Sequence, residues 1–352
     1  MGGSASMTAL LLDRYRQRNR RRAALVVLLG LLAVVALLID LSTGPAGLTL
    51  SETVRVLTGA ENVSRGARVI VWDVRLPVAV MALCVGAALA LAGAEMQTVL
   101  ENPLAEPFTL GVSSAAALGA ALAIVLGISL PFLPAAWSVS ANAFLFALGA
   151  LALLQTLGRL RGGGTEVLVL LGIALNFTAA AFLSLVQFVA SPDALQQLVF
   201  WTMGSLASSR WPGVALLALL LAVTLPFSFR AAWQLTALRM GEEQARSFGV
   251  NVTALRRWTL IRVSLLAAGA VSMVGVIGFV GLAGPHIARM LVGEDHRFFL
   301  PASLLTGALV MSLASTLSKL VAPGVLLPIG LVTSLIGLPI FLWLILRGRE
   351  AR

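Results

Sequence analysis

The chain has 352 residues, 59% of them hydrophobic and 11% charged, with a formal charge of +10. Soluble domains carry roughly 25% charged residues, so this composition excludes a soluble globular protein and sets most side chains against lipid or other apolar helices. The basic residues cluster in the loops of one membrane face, as the positive-inside rule requires, which accounts for the charge without a nucleic-acid partner.

In chain order, Arg14, Arg16, Arg18 and Arg20 to Arg22 form a basic tail, residues 1–22, expected in the cytoplasm. The apolar run that follows is longer than a signal-peptide core, and no small-x-small cleavage site precedes Asp40. It is expected as an uncleaved first span, residues 23–41. In the polar stretch 42–75, Thr49 or Ser51 is placed to cap a short helix through Leu57, ended by Gly59. Spans two and three are expected at 77–100 and 109–130. Between them lies Glu101-Asn102-Pro103-Leu104-Ala105-Glu106-Pro107. Proline cannot continue a helix and pushes its predecessor out of the α region, so two membrane helices meet here at a short, shaped loop.

Pro131 and Pro134 break the chain before span four, 141–157. Span five is 167–190, and Asp193 is placed to cap an interfacial helix to Met203 that carries Trp201. Trp211-Pro212 opens span six, which reaches residue 229. Residues 258–292 are largely apolar but fall short of the roughly 40 that two full crossings need. Two crossings put most of the 25 basic residues and both termini on one face. One crossing strands Arg347 and Arg349 outside, so the charge rule favours two. Gly275, Gly278, Gly281, Gly284 and Pro285 supply the bend a short pair needs. Spans nine and ten follow at 298–320 and 325–346, with a cytoplasmic tail, 347–352. The expected fold is all-α and polytopic, with ten transmembrane helices. An odd five-helix half implies two inverted halves. Gly86, Gly93, Gly111, Gly119, Gly307 and the Ser312–Ser315 stretch let helices approach closely.

Little of the usual chemistry is present. The only lysine, Lys319, is followed by Leu320, so no phosphate-binding G-x-x-x-x-G-K-[ST] loop exists and ATP is not bound by that route. Cys84 lies in an apolar run and reads as packing. No residues have metal-ligand spacing, and no cofactor is expected. His286 and His296 read as loop histidines facing water; a membrane enzyme using His286 is the third-ranked function. Glu95, about two turns from the cytoplasmic end of span two, is the intramembrane acid that a proton-coupled secondary transporter would use; that is the runner-up. Asn176 and Gln187 on span five read equally as interhelical hydrogen bonds or as polar pathway lining. In the loop 230–257, residues 238–252 read as a short amphipathic helix, with Glu242 and Glu243 at its start, Arg246 near its end and Gly249 at C′. Met240 and Phe248 give it an apolar edge. Two acids beside the bases disfavour a lie on anionic lipid and favour a cytoplasmic protein partner.

Four blocks, in this order and spacing, resemble the permease subunits of ABC importers for iron chelates, haem and cobalamin. They are Arg75-Leu76-Pro77 with residues 85–93 and Met96-Gln97; residues 102–114; residues 241–250; and Gly278-Phe279-Val280-Gly281-Leu282 with Pro285-His286, Asp295-His296-Arg297, Leu327-Pro328-Ile329-Gly330 and Gly337-Leu338-Pro339-Ile340. The resemblance implies a permease domain, 23–346, in the bacterial inner membrane, paired with a second permease chain around a pathway for a ferric siderophore or related metal chelate. It implies two ATPase subunits docked on Gly241, Glu242, Glu243, Arg246 and Gly249. It implies a substrate-binding protein docked outside, at Arg75 and Lys319. Val78 stands where the family has a second arginine, which would shift docking toward Arg65, Arg68 or Arg210. By the same resemblance Asn102 and Leu104 fall at the cytoplasmic gate, Thr165 and Glu166 near a second constriction, and Asn176 on the pathway.

Overall fold

Apolar runs bounded by glycine, proline and charge fold as helices throughout the computed structural model, which describes residues 2–44, 47–60, 63–161, 164–321 and 327–347, with side chains described within 10–339 except at 109. The expected start of span ten at Val325 and the tail beyond 347 lie outside the described residues. The helices are α1 (Gly2–Ser42), α2 (Leu50–Leu57), α3 (Arg65–Val69), α4 (Leu76–Val99), α5 (Val112–Leu126), α6 (Ser138–Leu160) and α7 (Thr165–Phe188). They continue with α8 (Pro192–Thr202), α9 (Trp211–Leu238), α10 (Glu242–Ser247), α11 (Val252–Val274), α12 (Val280–Val292), α13 (His296–Leu320) and α14 (Ile329–Arg347). Among the described residues seven helical stretches are long and apolar enough to cross a bilayer, and α5, α12 and the described part of α14 are shorter apolar helices.

Several boundaries depart from the sequence expectation for local reasons. Span two begins at Arg65, not at Pro77, because α3 runs through a π-helical turn, Ile70–Arg75, into α4. The Leu76 N–H donates five residues back to Val71, and this wider turn admits the Pro77 ring without ending the helix. The cap of α8 is Ser191, whose Oγ accepts from the Ala194 N–H at 3.3 Å; Asp193 sits in the first turn instead. The cap of α2 is Thr49, in a capping box with Glu52. The sixth run continues past residue 229 to Leu238 as one helix, which shortens the expected polar loop.

Helix α4 is the centre of the molecule. It is apolar on every side, and each residue from 85 to 100 is buried, as a helix without a polar face requires. α13, α12, α11 and α9 pack around it. The approach is glycine to glycine. A Cβ at Gly86 would fall on the carbonyl of Gly307 in α13, and one at Gly93 on the carbonyl of Gly281 in α12. The expected bend between α11 and α12 falls at residues 275–279. Gly275 takes φ +76°, and a Cβ there would strike the Trp201 carbonyl. Gly281 and Gly284 serve packing within α12 rather than the bend. Backbone bonds knit this end: Ser205 N–H to Val274 O at 2.7 Å and Ile329 N–H to Gly204 O at 2.9 Å.

Candidate functional site

The short helix α10 stands between the ends of α9 and α11. Gly241 at φ +111° starts it, and Gly249 at φ +82° ends it at the C′ position that the sequence suggested. Ala245 and Val250 are buried and seat it, whereas Met240, Glu243, Gln244, Arg246, Ser247 and Phe248 are exposed. The helix is charged and apolar on one free face and anchored on the other. Glu242 faces inward. Its carboxylate accepts from Arg246 at 2.6 Å and from Arg256, in the first turns of α11, at 3.0 Å. The bond from Arg246 and the charge of Arg256 hold the Glu242 carboxyl below the usual carboxylate range, against partial burial. These ties therefore hold above the ordinary carboxylate pKa and are lost only as pH falls through the depressed value.

Arg256 also reaches the loop after α4, donating to Val99 O at 3.0 Å and to Glu101 at 3.2 Å. There α4 ends in a Schellman turn. Asn102 N–H bonds Gln97 O at 3.1 Å and Glu101 N–H bonds Thr98 O at 3.3 Å. Glu101 occupies the left-handed position at φ +52°, where glycine is usual. Asn102 closes the next turn by accepting from Leu104 N–H at 2.9 Å. Leu104 is exposed at the loop tip, while Ala105, Glu106 and Pro107 are buried. The loop dips deep: Leu110 lies on Gly172 and Gly111 on Asn176, well inside α7. Asn176 accepts from Ser114 at 2.7 Å, so its polar group joins α5 to α7. Thr165 and Glu166 open α7, with Glu166 exposed in the first turn. A cleft of about 660 Å³ separates this α6–α7 connection from α10 and α11, lined by Arg159, Glu242, Arg246, Arg256 and Arg257.

A second set of ties lies on the other flank of α10. Arg239, at the end of α9, pairs with Glu294, which also pairs with Arg289 of α12 at 3.3 Å. Arg289 donates to Gln97 at 2.9 Å, and Gln97 donates to Gly281 O at 3.3 Å. His296, expected in water, is 1% exposed. It sits 2.8 Å from the Thr98 hydroxyl and 3.2 Å from that of Thr236, joining α4, α9 and α13. Asp295 caps α13, and the bonds from Arg297 hold its carboxyl below the usual range.

Glu95 is fully buried and bonded by Arg262 Nε at 3.0 Å, with Thr259 on the same guanidinium. Arg262, one of the bases the charge rule assigns to the inner face, thus lies within α11 and forms an interhelical pair that fixes α11 to α4. The pair gives Glu95 a structural occupation and leaves the proton-coupling reading without an observation in its favour. Glu95→Gln should cost about 2 kcal/mol, the size of a charged hydrogen bond, and Glu95→Gln with Arg262→Met should recover most of it. Thermal unfolding midpoints of the purified variants check this; a double variant less stable than the single one contradicts it.

At the opposite end, Arg75 and Lys319, the residues expected to dock a binding protein, have side chains largely buried within this chain. Arg75 is 5% exposed and donates to Leu41 O at 2.9 Å and Gly44 O at 3.3 Å. Lys319 pairs with Asp40 at 2.8 Å, and Asp40 is fully buried. Both charges close the end of α1 against α4 and α13. Arg65, Arg68 and Arg210 are the exposed bases nearby. Sequence reasoning missed Asp40, Glu101, Arg256 and Arg289. An acid at the end of an apolar run was the signal for Asp40; the others have no local signal, because their partners are remote in sequence.

The comparisons agree with this architecture along nearly the whole chain. The hemin transport system permease protein HmuU of Yersinia pestis is 39% identical, covering 93% of this chain and 97% of that protein. The vitamin B12 import system permease protein BtuC of Salmonella arizonae is 35% identical, covering 95% and 97%. A solved metal-chelate type ABC transporter in an inward-facing conformation superposes with a TM-score of 0.81 at 32% identity, covering 92% of this chain and 99% of that one. The pattern of the FecCD transport family matches residues 31–347, and the chain belongs to that family, the membrane-embedded permease subunits of ABC importers, which transport and are not enzymes.

Proposed function

We propose that the chain forms one half of a translocation pathway for a ferric siderophore or related metal chelate in the bacterial inner membrane, paired with a second permease chain. The names of its relatives, for hemin and vitamin B12, support a bulky metal-chelate cargo. The ten-span reading counts the seven long helical stretches with α5, α12 and α14, arranged as two inverted five-helix halves with both termini cytoplasmic. Residues 23–346 make the permease domain, with basic tails at 1–22 and 347–352. The loop 101–111 is the cytoplasmic gate, with Asn102 and Leu104 at its tip. Thr165 and Glu166 form a second constriction and Asn176 lies beside the path.

The observation that carries this reading is α10. It is a rigid six-residue helix with its back buried, its front free and its inward carboxylate tied to the gate loop. Such an element passes on a push as a rigid body, which a permease without a nucleotide site needs from separate ATPase subunits. On the outer face, Arg65, Arg68 and Arg210 offer the charge that steers a substrate-binding protein, with Arg75 and Lys319 holding the surface beneath them. Glu243→Arg, or removal of residues 241–249, should abolish co-purification of the ATPase while the permease still inserts. Wild-type amounts of ATPase on the Glu243→Arg protein would reject α10 as the docking site.

A further inference from the structure

The two flanks of α10 are tied to α4 differently. On one flank the chain of contacts runs from Arg239 through Glu294 and Arg289 to Gln97, and Gln97 is itself bonded to Gly281 of α12. That leg joins α4 to a second buried helix and holds its last turn in place. On the other flank, among the described residues, Arg256 is the side chain that joins Glu242 of α10 to Val99 O and Glu101. Here the receiver is the Schellman turn, whose left-handed residue is a glutamate where glycine is favoured. A non-glycine residue at such a position persists only when its surroundings hold it. Among the described residues, the Glu101 side chain takes one bond, from Arg256. The next residues, Asn102 to Leu104, are the loop tip.

We propose that Arg256 is a positioning residue that latches α10 to the left-handed Glu101, so that a displacement of α10 releases or resets the turn that carries the gate loop, while Gln97 keeps α4 itself fixed. This rests on the reading of α10 as the ATPase docking helix. The strained glutamate supplies the two-state element that coupling between distant sites requires. Removing Arg256 lets the turn relax, whereas glycine at 101 keeps the turn but takes away the carboxylate that links it to α10.

The test uses the complete importer, permease with its ATPase and substrate-binding protein, in proteoliposomes, with uptake measured per ATP hydrolysed. Arg256→Met should still assemble and hydrolyse ATP, with uptake per ATP falling about tenfold, a usual size for coupling between sites. Arg256→Lys, which cannot fork between two carboxylates and a carbonyl, should fall nearly as far. Glu101→Gly decides the matter. Glycine suits φ +52°, so a merely structural role predicts an equal or more stable importer with unchanged coupling, whereas the latch predicts lost coupling despite that stability. Should Arg256→Met fail to assemble, Glu101→Gly still decides, since it leaves Arg256 bonded to Glu242 and Val99. Wild-type uptake per ATP in Glu101→Gly overturns the latch alone. An unaltered permease that binds no ATPase overturns the α10 reading and the latch with it.

Discussion

Lys319→Ala should cost about 3–5 kcal/mol, the range for removing one partner of a buried ion pair. Asp40 has no exposed surface and takes bonds from Lys319 at 2.8 Å, Ser315 at 3.1 Å and Thr316 at 3.2 Å. Lys319 also donates to the Asp40 carbonyl at 3.1 Å. The two hydroxyls cannot replace the ammonium, so the truncated protein keeps a buried carboxylate without its directly bonded counter-charge. The first effect falls on α1, whose C-terminal end these bonds fasten to α13. Asp40→Asn with Lys319→Met should recover most of the loss, since an uncharged pair of similar shape carries no desolvation penalty. Thermal midpoints and protease accessibility of α1 in detergent read both changes. If Lys319 instead served as an exposed docking charge, Lys319→Ala would weaken capture of the binding protein and leave the melting unchanged.

Gly93→Leu should prevent folding, at a cost of about 3 kcal/mol or more. The side chain would have to occupy the space of the Gly281 backbone, and a backbone inside a packed helix cannot swing aside as a flexible side chain does. Gly93→Ala carries the same clash in smaller form. The contrast is Gly149 in α6, where nothing lies within 4 Å of an added Cβ. There alanine should stabilise by up to about 1 kcal/mol through helix propensity. Membrane yield and monodispersity after extraction separate the cases. A well-folded Gly93→Leu protein would mean that α4 and α12 do not meet as closely as described.

What the sequence showed and what it withheld divide along one physical line. Features governed by neighbours in the chain were readable: the helices, the Thr49 cap, the stop at Gly249, the break at Gly275 and the small-residue seams of α4 and α13. Features governed by partners far away were not. The pairing of Arg262 was not legible because its carboxylate partner is 167 positions distant. His296 looked like a wet loop residue because the hydroxyls that bury it belong to α4 and α9. The burial of Arg75 and Lys319 was not legible because their partners at the end of α1 lie 34 and 279 positions away. The start of span two was misplaced for a local reason, since Pro77 reads as a helix start unless a π turn precedes it. At the site, the residues of α10 were legible from caps and charge, but the arginine joining them to the loop after α4 was not. Ordinary helix periodicity does not say which helix a side chain will face.

Uptake of a radiolabelled ferric chelate into proteoliposomes separates the two energy sources, comparing the permease alone with the permease joined to its ATPase and substrate-binding protein, under a proton gradient or with ATP. Accumulation is expected only with the ATPase, the binding protein and ATP present, and unaffected by collapsing the gradient. Accumulation by the permease alone on the gradient, lost in Glu95→Gln, would contradict that expectation.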